Sequence, residues 1–159
     1  MAYTTLTDVA TGDVLTATAY NNLIGNAATL ALAWTAFTPQ LRTGTTNVAS
    51  TNNYGRYLVM GKLVIAQAKV TATAVGTASG VLKLSTPTGV ATQVVEAAIG
   101  SYLVKDTGTA YYTGVALFEE TGYVSGQAYG GGGTMGANTP AMTIAVGDVV
   151  SYAVVYEIS

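Results

Sequence analysis

Apolar residues recur along this chain with two different periods, and the change falls between Trp34 and Pro39. Before it, in LTATAYNNLIGNAATLALAW, residues Tyr20, Leu23, Ala27, Leu30 and Trp34 follow one another at spacings of three, four, three and four. That is a heptad seam, the pattern of one helix of about five turns with a single apolar edge. Thr16 stands where an N-cap is needed, because its hydroxyl can accept from an amide of the first turn. Gly25 costs about 1 kcal/mol relative to alanine inside a helix, and so short a seam does not hold a helix together alone in water. The segment needs a surface to pack on: its own domain, a copy of itself or a larger assembly.

From Tyr54 onward the period is that of strands. Val64, Ala66, Ala68, Val70 and Ala72 alternate with Ile65, Gln67, Lys69, Thr71 and Thr73, which predicts a half-buried antiparallel strand. Gly61-Lys62 precedes it and fits a two-residue type II′ turn after the run Tyr57 to Met60. Further strands are expected at VLKLS from Val81, AAIGSYLV from Ala97, AYYTGVALFEE from Ala110 and GYVSGQAY from Gly122. In the last, VGDVVSYAVVYEI, residues Val150, Tyr152, Val154, Tyr156 and Ile158 line one face. At least seven strands with no helix-length pattern between them predict a mainly β fold. The expected architecture is an antiparallel β-sandwich, jelly-roll-like, preceded by a short N-terminal α-helix. Residues 1–38 form an N-terminal region for attachment or self-association, and residues 39–159 the β-sandwich domain.

Composition adds a constraint on the surface. Half of the 159 residues are hydrophobic and 9% are charged, against about 25% in a typical soluble domain. The exterior must therefore be built from Thr, Ser, Asn, Gly and Ala, and a net charge of -2 gives little protection against association. Much of the apolar surface is expected to be covered by copies of the chain or by partner proteins. The six basic residues, Arg42, Arg56, Lys62, Lys69, Lys83 and Lys105, are scattered, so no nucleic-acid partner is expected. The first residues lack the pattern of a secretory signal and no stretch is apolar for 18 residues, so neither export by a signal peptide nor membrane insertion is expected.

The chain has no histidine and no cysteine, which excludes Ser-His and Cys-His catalysis and imidazole or thiolate metal sites. Carboxylates remain. Glu119 and Glu120 are adjacent in a strand and should point to opposite faces, so they do not make an acid–base pair, and Asp8 and Asp13 suit the N-terminal end of a helix. GGGTMG at 131–136 matches a dinucleotide-binding fingerprint in form, but ANTP follows it and begins no helix. No cofactor, no metal and no enzymatic activity are expected. The better account of the glycines is an exposed loop able to touch a partner, carried by Tyr129, Gly131, Gly132, Gly133 and Met135. Eleven tyrosines can fill a core or an interface, or serve as platforms for sugars. Arg56 calls for a partner, either a carboxylate such as Asp148 or Glu157 or a group on a neighbouring subunit.

Several segments carry a family resemblance. AWTAFTPQL at Ala33, YGRYLVMGKLVI at Tyr54, LKLSTP at Leu82, YYTGVALF at Tyr111 and TPAMTIAVGDVVSYAVVYE at Thr139 resemble, in this order, the small β-domains of bacteriophage tail-fibre and minor tail proteins. TGDVLTATAYNNLI at Thr11 is similar to the N-terminal element of short phage virion proteins. The resemblance implies a homotrimeric β-sandwich displayed on the surface of a phage particle and made in the bacterial cytoplasm. Its partners would be its own copies, the phage major capsid protein or tail proteins and, in a tail-tip role, a host-surface glycan. Capsid decoration is the expected role and a minor tail protein the alternative. Tyr20, Leu23, Ala27, Leu30, Trp34 and Arg56 are the candidate residues of the oligomer or particle interface.

Overall fold

The computed structural model of the chain describes residues 16–30, 33–77, 80–88, 98–129, 133–138 and 140–158. Asp8, Asp13, Gly131 and Gly132, and the side chain of Leu30, lie outside what is described. Helix α1 spans Ala17–Leu30, 14 residues or about four turns. It is capped as its sequence requires: the Thr16 hydroxyl accepts from Ala19 N at 3.2 Å, and the Thr16 carbonyl accepts from Tyr20 N at 3.0 Å. Trp34 is not on the helix, contrary to the seam, but immediately precedes the first strand.

Ten strands follow: β1 (Thr35–Ala36), β2 (Leu41–Thr43), β3 (Thr46–Val48), β4 (Ser50–Met60), β5 (Leu63–Ala72), β6 (Leu82–Ser85), β7 (Ala98–Asp106), β8 (Ala110–Glu120), β9 (Tyr123–Ala128) and β10 (Val149–Glu157). The fold is mainly β and antiparallel, with one short helix before it. The alternation read from the sequence is the burial pattern observed, with Val64, Ala66, Ala68, Val70 and Ala72 inward on β5 and Val150, Tyr152, Val154 and Tyr156 inward on β10. Met60 pairs with Leu63 across Gly61-Lys62, and Gly61 has φ +61°, as the first central position of that turn demands. Strands β1 to β3 have no counterpart in the sequence reading: β1 is only two residues long, and the segment from Leu41 to Val48, half of it Thr and Asn, shows no period. The sheet already begins at Thr35, inside the stretch expected to belong to the N-terminal region.

The layers are parts of one sheet, in the order β1-β4-β5-β10-β7-β8-β9-β6-β2-β3. Only Ala49 separates β3 from β4, yet β3 pairs with β2 near one end of this order and β4 pairs with β5 near the other. A single run of chain, bent at Ala49, thus draws the two ends of the sheet together and curls it around a core. The corner is tied down by Thr73 N, which donates to the Ala49 carbonyl at 2.8 Å.

The concave face holds Leu41, Leu82, Leu84, Val104, Phe118, Val124 and Ile144, all at most 1% exposed. Two tyrosines cross it. Tyr102 on β7 donates its hydroxyl to the Leu82 carbonyl at 3.2 Å, and Tyr152 on β10 donates to the Ser85 carbonyl at 2.9 Å. Both acceptors are on β6, which neighbours neither strand in the sheet. Phe118 meets Tyr156 edge to face, with ring centres 5.2 Å apart. Gly126 lies under the Tyr102 ring so closely that any Cβ there would overlap it.

Two outcomes follow from this core. Gly126→Ala should destabilise the fold by about 1–3 kcal/mol in urea unfolding, since the added methyl overpacks a fully buried ring; wild-type stability would mean the ring moves aside freely. Burial pushes the phenol pKa values of Tyr102, Tyr152 and Tyr156 upward from the ordinary value near 10. The unfolded chain releases these protons first, so their contribution is complete below about pH 10 and is lost as pH rises through the folded-state values. Each phenol should lower stability by up to about 1.4 kcal/mol per pH unit on that limb. Unfolding measured from pH 8 to 11 should show the decline, and a Tyr102→Phe/Tyr152→Phe variant should show a shallower one.

Candidate interaction surface

The described carboxylates do not converge. Glu120 binds two cations, Arg42 at 3.2 Å and Lys83 at 2.8 Å, and Arg42 also donates to Asn47 and stacks 4.3 Å from the centre of the Tyr123 ring. Glu119 is the extra residue of a β-bulge in β8, and its Oε2 is buried without a hydrogen-bond partner beside a cavity of about 400 Å³ lined by Leu117, Gln127 and Thr134. Asp148, a carboxylate considered for Arg56, instead accepts from Thr107 N at 2.8 Å and Ala145 N at 2.7 Å, which locks the turn before β10 against the β7–β8 hairpin. Among the described residues no group of three or more His, Cys, Asp or Glu could hold a metal ion.

Arg56 has its partners inside the chain. Its Nε and Nη2 donate to Gln67 Oε1 at 3.1 and 2.8 Å, and its guanidinium lies 4.8 Å from the centre of the Trp34 ring and 5.7 Å from that of Tyr54. Trp34 and Tyr54 remain 42% and 44% exposed. The cluster is built by the hairpin: Gly61-Lys62 fixes a register in which Arg56 faces Gln67, Tyr54 sits two residues back on the same face, and β1 pairs Ala36 with Arg56 and so brings Trp34 alongside. Gln67 was legible from the turn alone, because a two-residue loop closed by Met60 and Leu63 places residue 67 opposite residue 56. Beside it on the outer face run Leu58, Ile65 and Val155, paired across β4, β5 and β10, with Val155 48% exposed.

Helix α1 adds a second apolar area. Tyr20, Leu23 and Ile24 are each about half exposed, Ala27 is exposed, and Asn26 is buried.

The glycine-rich segment is less open than expected. Tyr129 is 73% exposed, but Met135 is fully buried: its amide donates to the Gly126 carbonyl at 2.7 Å and its carbonyl accepts from Leu82 N at 2.9 Å. Its backbone thus continues the ladder between β9 and β6 where these two strands part, and its side chain enters the core against Gly114. A methionine in a run of glycines supplies the one apolar anchor that such a segment has. Gly133 is half-buried against Asn138, and Gly136 is buried in a turn with φ +94°. Turns and isolated bridges, rather than a helix, follow the glycines.

Among the described residues no helix is long and apolar enough to cross a membrane. Comparison with known proteins finds no matching family model, no matching curated protein and no matching solved structure.

Proposed function

We propose that this chain is a non-enzymatic structural protein of a bacteriophage virion, a homotrimer on the particle surface that decorates the capsid and reinforces the shell by bridging neighbouring capsid subunits. The observation that carries the reading is the part of the apolar seam described on α1, where Tyr20 and Leu23 are about half exposed and Ala27 is exposed, on a helix too short to stand alone. A heptad-spaced seam ahead of a charge-poor β-domain suits self-association, and packing three copies would cover it. The segment-by-segment resemblance to phage tail-fibre and minor tail β-domains supports the virion setting. A minor tail or tail-tip protein that recognises a host-surface glycan is the second reading, favoured by the exposed Trp34–Arg56–Tyr54 stack, since aromatic faces suit sugar rings.

Light scattering on the purified chain should give three times the chain mass, and Leu23→Asp should reduce it to a monomer with unchanged far-UV circular dichroism of the β-domain. Deleting residues 1–33 removes none of the described strands and should leave a soluble β-domain that no longer joins particles; full incorporation of the truncated chain would overturn the anchoring role. Quantitative mass spectrometry of purified particles separates the two locations: hundreds of copies place the protein on the capsid, and a few place it on the tail.

A further inference from the structure

We propose that the groove between the β1–β2 connection, the Ala49 corner and the end of β6 is a binding site for a neutral saccharide. Its volume is about 680 Å³, within the range of about 300–1,000 Å³ typical of small-ligand sites. Thr38, Gln40, Ser50, Thr88 and Tyr123 line it together with Pro87, and none of these carries a charge at neutral pH.

The site is built rather than incidental. Gln40 is in no strand, yet its amide donates to Ser85 Oγ at 2.8 Å, its carbonyl accepts from Ser85 N at 3.0 Å, and its side-chain oxygen accepts from the Tyr123 hydroxyl at 3.3 Å. Those bonds hold the residue in place while committing neither donor of its side-chain NH₂. Among the described residues the hydroxyls of Thr38, Ser50 and Thr88 form no hydrogen bond either. A wall of hydroxyl and amide groups, each able to donate and accept, matches the hydroxyls of a sugar.

Charge and shape narrow the ligand. Arg42 reaches the rim by stacking on Tyr123, but Glu120 and Asn47 already hold it, so the groove offers no uncommitted cation to an acidic sugar. An extended peptide would need an open strand edge or apolar anchor pockets. Here the Ala49 carbonyl is taken by Thr73, Ser50 is paired with Ala72, and Val48, the largest aliphatic side chain in the lining, is 6% exposed.

The inference does not rest on where the protein sits on a particle, so a copy number that moves it from capsid to tail leaves it standing. The test is saturation-transfer NMR and calorimetry on the full chain with maltotriose, cellotriose and chitotriose, alongside trigalacturonate and a proline-rich peptide. At least one neutral trisaccharide should bind saturably. Gln40→Ala and Thr88→Ala should each weaken it by about tenfold or more, and Thr38→Trp should block it, at unchanged melting temperature for the exposed Thr88 and Thr38 variants. The proposal fails if no neutral trisaccharide binds at about 10 mM, a concentration that reveals even millimolar affinity. It fails equally if binding survives Thr88→Ala and Thr38→Trp, or if trigalacturonate or the peptide binds the groove more tightly.

Discussion

The curl of the sheet depends on two tyrosine hydroxyls that cross the core and bond to β6. Tyr102 and Tyr152 stand on the central strands β7 and β10, and each reaches a carbonyl of a strand that is not its neighbour. Each ring contributes a large buried apolar area, while its hydroxyl finds the partner without which burial would be costly. This couples hydrophobic burial to geometry: β6 must lie at the distance a tyrosine spans, and Gly126 must lack a side chain for the Tyr102 ring to lie flat. The bend at Ala49 then joins the two ends of the sheet through a single run of chain.

The same arrangement explains how so few charges suffice. Arg42, Lys83 and Glu120 form one ion cluster bridging β2, β6 and the end of β8, and Asp148 is buried on backbone amides where it shapes a turn. These groups serve the fold, so the exterior is largely neutral. The polarity of the exterior then rests on hydroxyl and amide side chains, while apolar side chains of α1 and of the Leu58–Ile65–Val155 row lie at the surface. The groove at the Ala49 corner is lined mostly by these neutral polar groups.

Sequence by itself determined the elements that have a period or a turn signal. The helix cap at Thr16, the inward faces of β5 and β10, the Gly61-Lys62 hairpin and the mainly antiparallel character were all legible, because local sterics and burial on one face impose them residue by residue. With the hairpin register, even the pairing of Arg56 with Gln67 was contained in the numbering. Only the tertiary structure decided that the layers are one curled sheet, that Trp34 leaves the helix to stack on Arg56, that Met135 fills the core, and that Asp148 serves a turn. Each of these depends on residues far apart in the chain meeting across the core or at a sheet edge, and no local pattern encodes such a meeting. Strands β1 to β3 show the same limit from the other side: short and rich in Thr and Asn, they are strands because the closing sheet offers them partners.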